Sequence, residues 1–295
     1  MNTLIRPVLL SLSVLLWNAR AAGAQADYAG PILAGLSNHG QTGGEPYVTA
    51  GTRAYVIGTQ DGNFPDLGEH LPGEMGGVWL HPIKLIDGFR ATVAEPVTGR
   101  DVVLSAATEL ITYPYGNRFS YGPVLDSLEV ERFQFSPDGR EGFVVQYELR
   151  NAAGRTRALT FDFAVKTDLR PVWFSDRLGI TDARDTVGWE PANQVFVARD
   201  TGHPWFGVWG AVGSVDARPI AHPPPIRTNG TGVTAASRYT LTVAPRSTSA
   251  LIFVVAGSAS TTRVSNRSAV SRSPSSSASR ARRMSTSREG LRSVA

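Results

Sequence analysis

Cysteine is absent from this 295-residue chain, which excludes disulfide bridges and thiolate chemistry. Lysine is nearly absent: Lys84 and Lys166 stand alone among 29 basic residues, the rest being Arg. No long apolar run occurs. The stretch Pro7–Trp17 falls well short of the ~20 residues that span a bilayer, so a retained anchor is the weaker reading of it. No segment sustains the 3.6-residue period of a long helix. Gly-x-Ser-x-Gly, Gly-x-x-x-x-Gly-Lys and Gly-x-Gly-x-x-Gly are all missing, and with them the signatures of a serine nucleophile elbow, a Walker loop and a dinucleotide fold.

The ends of the chain read differently from its middle. Residues 1–26 have the form of a secretory signal: Arg6, then the apolar run, then small residues at Ala22-Gly23-Ala24 or Ala24-Gln25-Ala26. An exported protein, periplasmic or extracellular, is expected, with no membrane association once the signal is cleaved. Residues 257–295 hold thirteen Ser and eight Arg, which against Glu289 alone give this stretch +7. Too little apolar surface is available there to offset the entropy of ordering, so a disordered tail is expected. It reads as a basic tail for an anionic surface or, more simply, as text without a selected function, of the kind a shifted frame in GC-rich DNA encodes.

With the tail at +7 and Arg6 and Arg20 adding +2, the overall +4 leaves −5 for residues 27–256. That body is mildly acidic, which argues against nucleic acid as a partner. It is also a succession of strands. Leu128–Phe135 runs into Ser136-Pro137-Asp138-Gly139, a hairpin turn, and then Phe143–Leu149, with Phe143, Val145, Tyr147 and Leu149 on one face and Gln146 and Glu148 on the other. Leu159, Phe161, Phe163 and Val165 repeat the alternation, predicting an antiparallel meander. Further strands are expected at 55–58, 78–86, 102–104, 109–112, 194–198, 205–212, 239–243 and 251–255. The pattern predicts an all-β fold, a large antiparallel sandwich over residues 27–256.

The densest chemistry lies between Arg53 and Gly88. A long loop punctuated by Gly and Pro carries Asp61, Asn63, Asp66, Glu69, His70 and Glu74, followed by a strand bearing Trp79, His81 and Lys84. Loops of that length are functional or disordered, and Phe64, Met75 and Trp79 argue that this one is packed. Two of its carboxylates could serve acid/base work on a glycosidic bond, against the simpler role of turn capping. Alternation along residues 78–86 would put Trp79, His81 and Ile83 on one face, a ring and an imidazole able to hold a sugar, or a core Trp with a hydrogen-bonded His. Asp61-Gly62-Asn63 opens like a calcium loop, but Asp66 and Pro72 break the pattern, so neither a metal nor a cofactor is assigned. His39, His70, His81, His203 and His222 form no ligand pair in sequence.

The run Gly58-Thr-Gln-Asp-Gly-Asn-Phe-Pro-Asp-Leu-Gly68, then Gly73-Glu-Met-Gly-Gly-Val-Trp-Leu-His-Pro-Ile-Lys84, resembles the N-terminal region of bacterial glycogen-debranching-type proteins among the six-hairpin glycosidases. Tyr113-Pro-Tyr-Gly-Asn-Arg118 and Asp176-Arg-Leu-Gly179 look similar as well, so the resemblance covers roughly 29–256. It implies a β-supersandwich of galactose-mutarotase-like shape that precedes a helical toroid holding the catalytic carboxylates. The toroid has no counterpart here, so no catalytic residue carries over. The expectation is a truncated, non-catalytic domain of a secreted glycoside hydrolase acting on α-glucans or oligosaccharides, inactive alone, whose partners are carbohydrate and the missing helical domain.

The resemblance further implies that Asp61, Asn63, Asp66, Glu74, Trp79, His81 and Lys84 lie at the substrate rim or the domain interface. Two other functions fit the same shape. One is a carbohydrate-binding module with Trp79, Trp173, Trp205 or Trp209 as platforms. The other is a mutarotase-like epimerase using His81 and Glu74.

Overall fold

The computed structural model describes residues 35–39, 43–68, 75–172, 177, 179–213 and 216–260. The expected signal segment, the expected tail beyond Ser260 and part of the long loop lie outside them. Among the described residues seventeen strands occur in order: β1 (Leu36–His39), β2 (Pro46–Ala50), β3 (Tyr55–Thr59), β4 (Gly77–Leu80), β5 (Ile83–Glu95), β6 (Arg100–Val103), β7 (Glu109–Tyr113), β8 (Gly116–Val124) and β9 (Leu128–Phe135), then β10 (Gly142–Asn151), β11 (Arg157–Pro171), β12 (Asp185–Glu190), β13 (Val195–Asp200), β14 (Phe206–Ala211), β15 (Ala217–Pro219), β16 (Thr234–Val243) and β17 (Thr248–Ser258). No α-helix occurs among the described residues.

The strands form two antiparallel sheets. One runs β1-β7-β8-β9-β10-β17-β14-β13-β12, the other β15-β16-β11-β5-β4-β3-β2, with β6 on β5. Alternating apolar residues of the inner faces meet between them, as where Phe163 of β11 stacks on Phe253 of β17 with centroids 4.1 Å apart. The all-β sandwich read from the sequence is therefore present.

Two expectations about connection fail. β9 and β10 pair as a hairpin, but β11 does not continue a meander. It crosses to the second sheet between β5 and β16, and β17 takes its place beside β10. Local alternation is identical for either sheet, so it cannot tell which one a strand joins. The strand expected over 78–86 is two strands, β4 and β5, joined at a turn through the cis His81-Pro82 bond. Ile83 consequently lies in the core, on the opposite face from Trp79.

The central pair β5 and β11 departs from half-buried alternation. Ile83–Phe89 and Val165–Leu169 are buried at every position. One face meets the sandwich core, and residues near Thr228 cover the other. Register shifts mark the same region. Lys166 pairs with Gly88 but Thr167 with Ile86, which leaves Asp87 as the extra residue of a bulge, and the next shift falls between Thr167 and Arg170, around Asp168.

Candidate functional site

The outer face of the eight-stranded sheet gathers most of the residues singled out in the sequence. Tyr55 of β3, Trp79 of β4, Lys84 of β5 and Arg170 of β11 are successive cross-strand partners, so they share that face. Trp79 lies nearly parallel to Tyr55, with centroids 6.4 Å apart, and donates its Nε1–H to Met75 O at 3.0 Å. His81 stands exposed at the β4–β5 turn, its Nε2 3.0 Å from Tyr55 Oη and its ring stacked near Trp79. Partial burial pushes the Tyr55 hydroxyl up from its ordinary value.

Beside this ladder lies a closed charge cluster. Lys84 Nζ, fully buried, is 2.5 Å from Asp87 Oδ1 and 3.1 Å from Asp168 Oδ2. Lys166 Nζ reaches Asp87 Oδ2 at 3.8 Å and donates to Thr228 Oγ1 and O at 2.7 and 3.0 Å. Thr228 in turn donates to Asp87 Oδ2. The two lysines of the chain thus share one aspartate.

Glycines let the covering residues approach. A Cβ on Gly230 would sit 2.6 Å from Asp87 Oδ2, and one on Gly232 would sit 1.8 Å from Thr167 O. The cover is tied to the long loop by Asn229 N, which donates to Asp66 Oδ1 at 2.6 Å.

The remaining loop residues organise the loop itself. Asp61 Oδ1 accepts from Thr59 Oγ1 at 2.6 Å and from Asn63 N at 3.1 Å, and its Oδ2 accepts from Asn63 Nδ2 at 2.7 Å. Asn63 also donates to Ser105 O at 2.7 Å. This is an Asx turn pinned to the β6–β7 connection. Glu69, His70 and Glu74 lie outside the described residues. The structure therefore brings Trp79, His81 and Lys84 together, sets Asp66 at the edge of their cover, and holds Asp61 and Asn63 in a separate turn.

The tryptophan platforms of the binding-module reading need correction. Trp79, Trp205 and Trp209 are 6%, 8% and 1% exposed, so none offers a ring face to a sugar, and Trp173 lies outside the described residues. Trp79 lies against Tyr55, Trp205 against His203 and Trp209 against Phe196.

Sequence reasoning missed a second constellation. His203 Nδ1 lies 2.9 Å from Asp200 Oδ1, and the imidazole stacks on Trp205 with centroids 3.9 Å apart. Asp200 also caps its own turn through Gly202 N and His203 N. Across β12–β13 it pairs with Asp185, whose Oδ2 accepts from Leu169 N at 3.1 Å. Burial raises the Asp185 carboxyl above its ordinary value, the hydrogen bonds from Thr167 and Leu169 oppose this, and the Asp182 and Asp200 charges reinforce it. The signal available was Asp200-x-x-His203 after a strand. Among the described residues no group of three His, Asp or Glu is arranged to hold a metal ion.

No protein-family model matches the chain, and no curated protein matches it. Solved structures similar to parts of it include one provisionally described as a kojibiose phosphorylase from the human microbiome, at 8% identity over 65% of this chain and 25% of that one, with a TM-score of 0.34. Another is provisionally described as an aldose 1-epimerase from Klebsiella pneumoniae, at 8% identity over 52% of this chain and 54% of that one, with a TM-score of 0.30. The match thus spans a quarter of the first protein's length and about half of the second's.

Proposed function

We propose that the sandwich is the non-catalytic domain of an exported carbohydrate-active enzyme of glycogen-debranching type, with bond cleavage of α-glucans or oligosaccharides supplied by carboxylates on a helical domain. The reading is supported first by the Gly58–Lys84 motif. The observation that carries it is that Asp61, Asp66 and Lys84 of that motif are already engaged by the protein itself. Asp61 is consumed by its Asx turn, Lys84 by Asp87 and Asp168, and Asp66 by the backbone of Asn229. Acid/base hydrolysis needs two carboxylates facing a shared substrate, and these residues build a rigid rim instead. The test is reducing-sugar release from maltooligosaccharides by the purified chain: none is expected, and turnover without added protein would overturn the proposal.

A second reading, an aldose epimerase, is favoured by the Asp200–His203 pair rather than by His81 with Glu74. An imidazole oriented by a carboxylate and 24% exposed is equipped for proton transfer at a sugar ring. Polarimetry on fresh α-glucose decides between the two. An uncatalysed rate supports the scaffold, whereas an acceleration lost in His203→Ala would put the epimerase in its place.

A further inference from the structure

Strand β9 turns an unusual pair of residues into the sandwich interior. Leu128, Val130, Arg132 and Gln134 are its buried positions, so the apolar file ends in a guanidinium and an amide. Arg132 is 1% exposed, and its guanidinium lies over the Phe119 ring at 3.9 Å and near Phe89 at 5.3 Å. Nη1 donates to Gly62 O at 2.9 Å and the Tyr147 hydroxyl is a further hydrogen-bonding neighbour of the guanidinium, while Nε and Nη2 have no partner that meets bonding geometry. Among the described residues no carboxylate forms an ion pair with Arg132. Asp61 is close enough to act electrostatically on Tyr47 and Tyr121, but both of its oxygens are occupied by Thr59 and Asn63.

Three more buried polar atoms in this region lack a partner that meets bonding geometry: Tyr47 Oη, which has Gln134 as its hydrogen-bonding neighbour, Tyr121 Oη and Gln134 Oε1. Buried charges and hydroxyls left in this condition pay an uncompensated desolvation penalty unless something meets them. Donors predominate. Arg132 Nε–H, Arg132 Nη2–H and the two tyrosine hydroxyl hydrogens face only Gln134 Oε1 and the lone pairs of the phenolic oxygens. Burial raises both phenols, so they remain neutral donors and do not serve as counter-ions to Arg132.

We propose that Arg132, Tyr47 and Tyr121 form a binding site for a small monovalent inorganic anion, a halide such as chloride, beneath the Asp61-Gly62-Asn63 turn. One guanidinium charge calls for one negative charge, and convergent N–H and O–H donors in an apolar cage favour a compact sphere over a larger oxyanion. Gly62 is the lid. At φ +91° it adopts a backbone few other residues accept, and a Cβ there would lie 2.6 Å from Tyr121 Oη and 3.3 Å from Arg132 Nη2. Anion binding would thus tie the Asp61-Gly62-Asn63 turn to the sandwich core through Gly62 O. The inference stands independently of the proposed function.

The test is thermal melting of the purified chain in sodium gluconate against sodium chloride and bromide at equal ionic strength, with anomalous diffraction from bromide-grown crystals. A saturable rise of melting temperature with halide, and a bromide peak beside Arg132 Nε, are expected. Tyr121→Phe, which keeps the ring, should weaken the halide response at least tenfold while leaving the gluconate melting curve cooperative. Melting indifferent to the anion, ordered water at that position, or a halide response unchanged in Tyr121→Phe would each overturn the site.

Discussion

Lys84 and Asp87 lie three residues apart on one strand, yet their side chains meet on the same face, Nζ 2.5 Å from Oδ1. In a regular strand an odd separation points side chains apart. The parity reverses between Leu85 and Ile86, consecutive residues that both belong to the core, where β5 slips one residue against β4 just before the bulge at Asp87 against β11. Asp87 is then the common partner of Lys84, Lys166 and Thr228, so Asp87→Ala should destabilise the chain by about 3–5 kcal/mol in urea titration, because it strands buried charge. Asp87→Asn, which retains an acceptor for Thr228, should cost less.

The cover over this cluster depends on glycine. Gly232→Ala would drive a methyl group into the Thr167 carbonyl, and the expected cost is about 1–3 kcal/mol together with faster proteolysis within residues 221–233. Gly154→Ala, where an added Cβ meets nothing, is the matched control and should change stability by less than about 0.5 kcal/mol.

Glu95 accepts from Arg157 Nε and Nη2 at 3.0 and 2.9 Å and also pairs with Arg155, and these guanidinium hydrogen bonds hold its carboxyl down at about 2. A carboxyl lowered in the folded state contributes stability that is fully present above its unfolded value of 4.5 and lost as pH falls toward 2. Melting temperatures taken across that window should drop for the wild type. Glu95→Gln should flatten this acid slope while lowering stability at neutral pH.

Asp185 has the opposite sign. Its carboxyl is raised by burial, so its contribution is present below the unfolded value and disappears as pH rises through the folded one. Asp185→Asn keeps an oxygen for Leu169 N. It should melt higher than wild type at neutral pH and lose that advantage in acid.

Trp79→Ala should cost about 3–5 kcal/mol, the price of a large buried ring, whereas His81→Ala at the exposed turn should stay within about 0.5 kcal/mol. Chemical denaturation of the two variants checks whether the tryptophan is structural.

Much of the strand inventory was legible because alternation is local. Leu128–Phe135 matches β9 end to end, and Phe143, Val145, Tyr147 and Leu149 point inward as their spacing requires. β8 and β12 escaped because Asn117, Arg118 and Gly188 interrupt the apolar period, and β1, β2 and β15 because they are short edge or peripheral strands. At the candidate site, Trp79, His81 and Lys84 were found through their density of functional groups. Lys166, Asp168 and Thr228 were not, because they come from distant strands and an irregular segment.

By itself the amino-acid order determined the all-β class, the inward face of each well-patterned strand and the crowding of polar groups between Asp61 and Lys84, since a two-residue period and turn chemistry are properties of neighbouring residues. Only the tertiary structure decided that β11 would leave its hairpin neighbours, that two bulges would turn Lys84, Asp87 and Asp168 toward one another, and that Arg132 would enter the core. Those outcomes depend on which strands pair across the sandwich, and pairing is set by long-range burial that no local pattern encodes.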